Sequence, residues 1–224
     1  LQFTASLDDI SDYGEVLVSA VPSQVVRVVL DKFPSGWKKP VVSVSKGIEN
    51  NTGMRMSQVI IETLHLTTEE IVILSGPSHA EEVSKKYPTT VVAACADINH
   101  ARDVQKLFSN DYFRVYSGND VIGVEIGGAA KNIIALAAGI CHGLGYGDNT
   151  MAALVTRGLE EIIRLGTTLG AERATFSGLS GMGDLIVTAF SPHSRNRQVG
   201  ERIGKGEKLS DILAGMEMVA EGVE

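Results

Sequence analysis

The chain has 224 residues, 44% hydrophobic and 21% charged, with a formal net charge of −7. That is an ordinary globular balance, enough for two modest domains or one large one. It disfavours a nucleic-acid protein, which usually carries a basic stripe, but allows a local basic pocket for an anionic small molecule. Cys95 and Cys141 are the only cysteines, so there is no disulfide framework or zinc spacing, and a reducing cytosol is the expected compartment.

The chain opens at Leu1 without an initiator Met and ends abruptly at Val219-Ala-Glu-Gly-Val-Glu224. The expectation is an internal portion of something longer, with no signal peptide at its start. Ser6-Leu-Asp-Asp-Ile-Ser-Asp12 predicts a capped short helix. Five short apolar runs follow, at Glu15–Val21, Pro40–Ser45, Glu70–Ser75, Thr89–Cys95 and Phe113–Tyr116. Helical patterns over 24–32, 54–64, the residues after Ser78, and 99–108 separate them. Continuous β-branched runs alternating with helices predict a mostly parallel, doubly wound α/β sheet covered on both faces.

From residue 120 onward the pattern is helical, over 120–143, 149–169, 181–189, 193–204 and 209–215. A boundary is expected near Gly118-Asn-Asp120, with Asp148 or Asn149 capping the second long helix. The Val121–Ile140 run is long enough to raise a membrane span. Its Glu125, Lys131 and Asn132, with glycines 123, 127, 128 and 139, favour a buried helix instead.

Lys131 is the anomaly in that run. A helix there is apolar nearly all round and therefore buried, and a buried ammonium must be paired, neutralised or used. No acid stands three or four residues away. The bland alternative is a lysine that snorkels out from a helix end. The sharper one is a catalytic lysine on the floor of a site.

Ligands of open parallel sheets sit beyond the carboxyl ends of the strands. Here those ends are Ala20-Val-Pro-Ser23, Ser45-Lys46-Gly47 and Ser75-Gly76-Pro77-Ser78, with Ser23 and Ser78 expected to cap the helices that follow. Lys46 is placed to meet a phosphate or carboxylate. Asp184 and Thr188 lie one turn apart on one helical face, where Asp184 reads either as a partly buried acid or as a helix cap. Arg195 and Asn196, at a helix start after Ser194, are suited to gripping a phosphate, whereas Arg197 points elsewhere. His142 and His193 lack a partner at useful spacing and read as structural histidines. The G-x-G-x-x-G of a dinucleotide enzyme and its later acid are not found.

In order, Ala20-Val-Pro-Ser23, Ser45-Lys-Gly-Ile-Glu49, Leu74-Ser-Gly-Pro-Ser78 with Ala80-Glu-Glu82, and Gly123-Val-Glu-Ile-Gly-Gly-Ala-Ala-Lys-Asn132 resemble the bacterial NAD(P)-dependent glycerol-3-phosphate dehydrogenase family. Gly145-Tyr-Gly-Asp-Asn149, Thr156-Arg-Gly-Leu-Glu160, Gly178-Leu-Ser-Gly-Met-Gly-Asp-Leu185 and Ser191-Pro-His-Ser-Arg-Asn-Arg197 continue the match over essentially the whole chain. The resemblance implies a partial doubly wound, Rossmann-like dinucleotide-binding domain over 1–119, its first βαβ and glycine loop lying upstream. An all-α substrate domain over 120–224, cut short at its end, follows. It implies NAD or NADP as cofactor, a small phosphate substrate, a cytoplasmic enzyme without stable membrane insertion, and a product feeding phospholipid synthesis; a homodimer through the helical half is a separate expectation that neither the residues nor the resemblance fixes.

By matching position, the resemblance makes Lys131 the general acid/base, and Lys46 shared by substrate and cofactor. It assigns Gly76, Ser78, Asp184, Ser194, Arg195 and Asn196 to the substrate, and Ala80, Arg195, Val219 and Glu221 to the cofactor. Burial and Lys46 are expected to lower the Lys131 pKa and Asp184 to raise it. Two other readings stay open, a related dehydrogenase of hydroxy acids or ketopantoate, and a non-catalytic fragment.

Overall fold

A computed structural model describes residues 3–216 and 220–223. Helix α1 (Leu7–Tyr13) begins under Ser6, whose Oγ accepts from the Asp9 N–H. Strands β1 (Leu17–Ser19), β2 (Val41–Ser43), β3 (Ile71–Ser75), β4 (Thr89–Ala94) and β5 (Phe113–Gly118) form one sheet in sequential order. The β1/β2, β2/β3 and β4/β5 pairs are parallel.

The β3/β4 pair is antiparallel, which the apolar runs did not reveal. The connection between them holds one short helix, α4 (Ala80–Val83), of four residues, and β4 enters the sheet from the end where β3 left. Helix α5 (Ile98–Phe108), with eleven residues, is long enough to make the β4/β5 crossover parallel.

Both faces of the sheet are covered. Helices α2 (Val26–Leu30) and α3 (Met56–Leu64) lay Val26, Leu30, Met56, Val59 and Ile60 on Leu17, Val41, Ile71 and Ile73. On the other face, α5 lays Ala101 and Val104 on Val42, Val72, Leu74 and Val91. All five residues of β3 are buried, which explains its unbroken apolar run.

The helical half comprises α6 (Val121–Gly143), α7 (Asp148–Thr168), α8 (Asp184–Phe190), α9 (Arg195–Gly204) and α10 (Leu209–Ala214), with a π-helical turn, Leu179–Gly183, leading into α8. Among the described residues, α6 is the one helix long and apolar enough to cross a membrane. Here it packs against α7, α8 and α9, and its Val124 joins the sheet core.

Helices α6 and α9 run parallel and touch backbone to backbone. A Cβ on Gly139 would lie 2.1 Å from the Arg197 carbonyl oxygen, and one on Gly200 2.0 Å from that of Leu136. Gly143 and Gly204 repeat the contact one turn on, at 2.3 Å from Glu201 O and 2.4 Å from Ile140 O. No side chain larger than hydrogen fits at this crossing.

Several expected caps differ. Ser23 is the first residue of a 3-10 turn behind Pro22, and α4 is preceded by His79 rather than Ser78. The Ser78 hydroxyl donates instead to the Gly76 carbonyl at 3.1 Å. Gly147 occupies the cap of α7, so Asp148 is its first residue and neither Asp148 nor Asn149 caps it. Asp120 does cap α6, its Oδ1 accepting from Gly123 N–H at 2.8 Å.

Candidate active site

The carboxyl ends of β2 and β3 pass into Ser45-Lys46-Gly47 and Gly76-Pro77-Ser78, and α6 crosses directly above them. A Cβ on Gly128 would come within 3.0 Å of Ser75 Oγ and 3.6 Å of Lys46 Cγ, so α6 lies directly against the side chains at the strand ends. Gly76 holds φ at +148°, where L side chains are strained, and its carbonyl accepts from Lys46 Nζ at 3.0 Å.

Lys131 lies on this stretch of α6 and is 6% exposed, so it does not snorkel. Its Nζ donates to Asp184 Oδ1 at 2.5 Å and to Thr188 Oγ1 at 2.8 Å. The Thr188 hydroxyl hydrogen is committed to the Asp184 carbonyl at 2.6 Å, which leaves its oxygen free to accept from the lysine. Lys46 reaches the other carboxylate oxygen, Oδ2, at 2.7 Å. Asp184 is 1% exposed. It is the first residue of α8 after Gly183 and makes no cap; its carboxylate goes to the two lysines.

Two ammonium groups thus share one buried carboxylate. Burial is the main force lowering the Lys131 pKa, from 10.5 to about 7. The Lys46 charge adds to it, and Asp184 opposes both. In the neutral amine the two N–H bonds serve Asp184 and Thr188, and the lone pair points away from both. Protonation turns that lone pair into a third donor.

A second set of contacts ties the carboxyl-terminal turn to this centre. Asn132, beside Lys131, donates from Nδ2 to Glu221 Oε2 at 3.3 Å. Asn196, near the start of α9, accepts from Gly222 N–H at 2.8 Å. Burial raises the Glu221 pKa, while Arg195, Lys131 and Lys46 all pull it down, so the acid lies within electrostatic reach of all three cations. Ser194 caps α9, its Oγ accepting from Arg197 N–H at 3.3 Å. Arg195 is exposed at that helix start.

The structure therefore brings together Lys46, Gly76, Lys131 and Asp184 directly, and Asn196 and Glu221 through Gly222 and Asn132. Ser78 joins through the Gly76 carbonyl. Ala80 is the exposed first residue of α4, and Val219 lies outside the described residues. Arg197 faces Glu201 at 3.6 Å, and His193 lies against His79 with ring centroids 5.9 Å apart. Thr188 and Asn132 are the contacts that pattern reading left without a role. The signals were present, Thr188 one turn after Asp184 and Asn132 next to Lys131.

The roomiest cleft described, about 770 Å³, lies elsewhere, against Met54, Gln58, Ile61, Asp120 and Ile122. It contains neither lysine, so volume is a poor guide here. A cleft of about 290 Å³ adjoins the cluster, walled by Ile126, Ala129, Ala130 and Ile133 and rimmed by Asn132 and Glu221. Ser75 Oγ is buried without a partner beside Lys46. Apolar walls with a few amide and carboxylate partners are the usual lining of a small-molecule site. Among the described residues no group of three or more His, Cys, Asp or Glu could hold a metal.

Fold and cluster define an α/β protein with a proton-labile amine built in at its strand ends, the equipment of an acid–base enzyme. Residues 1–101 match the NAD-dependent glycerol-3-phosphate dehydrogenase N-terminus, and residues 120–224 the C-terminus of the same family. The chain is 55% identical over its whole length to "Glycerol-3-phosphate dehydrogenase [NAD(P)+]" of Lysinibacillus sphaericus, covering 67% of that protein. It is 54% identical to the protein of the same name from Chlorobium chlorochromatii, covering 68% of it. The solved glycerol-3-phosphate dehydrogenase of Coxiella burnetii superposes on 99% of the chain with a TM-score of 0.91 at 31% identity, and 67% of that structure is covered. The chain belongs to the NAD-dependent glycerol-3-phosphate dehydrogenase family, and spans about two thirds of the length of these relatives.

Proposed function

We propose that this protein interconverts dihydroxyacetone phosphate and sn-glycerol 3-phosphate with NAD(P), in the cytoplasm, supplying glycerol 3-phosphate for phospholipid synthesis. The dinucleotide-binding part is residues 1–119 and the substrate part 120–224. The observation that carries the reading is the Lys131–Asp184–Lys46 cluster at the strand ends, in a chain of this family. Apolar side chains left exposed on α7, just after it and on α8, among them Leu165, Leu169, Ile186 and Phe190, are the support for association through the helical half.

The bound nicotinamide supplies or accepts the hydride at C4. Glu221, Asn132 and the apolar wall of α6 would hold it, with Lys46 and Arg195 shared between cofactor and substrate, and Ala80 and Val219 completing the cofactor's contacts. Arg195, Asn196 and Ser194 hold the phosphate at the start of α9, where free N–H groups face the anion. Gly76 and Ser78 border the carbinol end. In reduction, Lys131 gives its proton to the C2 oxygen as hydride reaches C2; in oxidation it takes the proton back. Asp184 and Thr188 hold the amine so that its third position faces the substrate.

The test is the pH dependence of both directions. Reduction needs the ammonium, so its rate should fall as pH rises through about 7. Oxidation needs the free amine and should rise through the same point. Initial rates with each substrate across neutral pH read this out, and limbs of the same sign in both directions would overturn the role given to Lys131. Arg195→Ala should raise the KM for dihydroxyacetone phosphate about tenfold or more, the value of a charge-assisted bidentate contact. If only cofactor affinity changed, Arg195 would lie outside the phosphate site.

A further inference from the structure

Glu125 is a second buried charge on α6, 8% exposed, and it has no part in the chemistry just described. Its Oε1 accepts from Ser57 N–H at 2.7 Å, its Oε2 from the Ser57 hydroxyl at 2.6 Å, and Arg55 Nη1 forms an ion pair with Oε2. Arg55 Nη1 also donates to Ser57 Oγ at 2.9 Å. Burial raises the Glu125 pKa, and Arg55 and Ser57 counter it. All three donors reach a carboxylate that sits at the first turn of α3, where the helix dipole favours an anion.

We propose that Glu125, clamped by Arg55 and Ser57, is a positioning residue that sets the rotation of α6 and so places Lys131 for proton transfer. This rests on the function proposed above. An apolar side chain would join α6 to α3 at lower cost, because burying an ion pair is expensive. What the ion pair adds is direction, since one rotation of α6 alone satisfies three donors. Lys131 follows six residues later, about 9 Å along the axis and about a third of a turn round. Between the two, Gly127 lies against the Ser180 carbonyl, which a Cβ would approach within 2.5 Å, and Gly128 lies against the Ser75 hydroxyl, at 3.0 Å. The intervening segment therefore transmits a rotation rather than absorbing it. With the amine about 6 Å from the axis, a turn of 10° moves it by about 1 Å. Misplacement on that scale costs one to two orders of magnitude in rate.

In the full-length protein, Glu125→Gln should lower kcat for dihydroxyacetone phosphate reduction about tenfold or more, with the KM of both substrates within about twofold of wild type. Ser57→Ala removes one donor and keeps the backbone bond and Arg55. It should give a smaller fall in kcat of the same kind, and it serves if Glu125→Gln does not fold. Arg55→Lys, which keeps a cation, should retain more activity than Arg55→Met. Variants that melt earlier but turn over normally while folded would make the clamp purely structural and overturn the proposal. So would a change in KM with kcat intact. Failure of the wild-type protein to reduce dihydroxyacetone phosphate would instead overturn the parent function.

Discussion

Lys131→Met is expected to lower kcat about a thousandfold while binding of the reduced cofactor is largely kept. General acid–base catalysis contributes roughly two to four orders of magnitude, and three orders correspond to about 4 kcal/mol of barrier. Methionine matches the length of the lysine stem and removes only the proton donor. The fold should survive, because Asp184 keeps its bond to Lys46 at 2.7 Å and Thr188 keeps its bond to the Asp184 carbonyl. Stopped-flow turnover combined with a cofactor titration separates the two quantities. Turnover within tenfold of wild type would remove Lys131 from the chemistry. Loss of cofactor binding in step with turnover would make its role structural.

Asp184→Asn attacks the same centre from the other side and should reduce both stability and activity. Below neutral pH two ammonium groups would then face each other at a buried site with no anion between them. Uncompensating a buried charge typically costs about 3–5 kcal/mol, on the order of a 10 °C fall in melting temperature for a chain of this size. The pH signature follows from the sign of the Lys131 shift. Its folded pKa of about 7 lies below the free value of 10.5, so between those two pH values the unfolded chain binds more protons. Stability of the wild type therefore rises with pH across that window, and the full penalty applies below it. Removing Asp184 takes away an influence that raises the pKa. The window should open at lower pH, and reduction at neutral pH should weaken further. Melting curves across neutral and alkaline pH measure the first effect. An unchanged melting temperature would mean that the carboxylate does not hold the lysines together.

Much of the fold and of the candidate site is legible in the sequence. Continuous apolar runs mark β2 and β3, whose residues are all buried because both sheet faces are covered there, while β1 and β5 carry exposed positions. Lys131 stood out because a charge in an apolar helix requires a partner. Its partner Asp184 lies 53 residues away, which no local spacing encodes; the family resemblance is what pairs the two in the sequence. The cap positions failed for a simpler reason. Serine and aspartate satisfy helix starts in general, but at Ser78 and Asp184 a nearer carbonyl and two ammonium groups compete for the same atoms. The helix after Ser78 reads as short in the sequence and is short in the fold, but the antiparallel direction of β4 leaves no mark in an apolar run.

The glycine contacts between α6 and α9 make the two helices a caliper. Lys131 is on one jaw, Asn196 and Arg195 on the other, and the jaws are closed on bare backbone over two successive turns. The separation of the two helix backbones beneath Lys131 and the proposed anion seat is thus fixed by main-chain contact, while the side chains that Asp184 and Thr188 hold set the position of the nitrogen itself. A three-carbon phosphate is gauged by that separation. A longer or shorter homologue cannot be accommodated by sliding one helix along the other, because each carbonyl oxygen would meet the next turn. Substrate range can change only at the tips of the jaws, in the residues that touch the ligand.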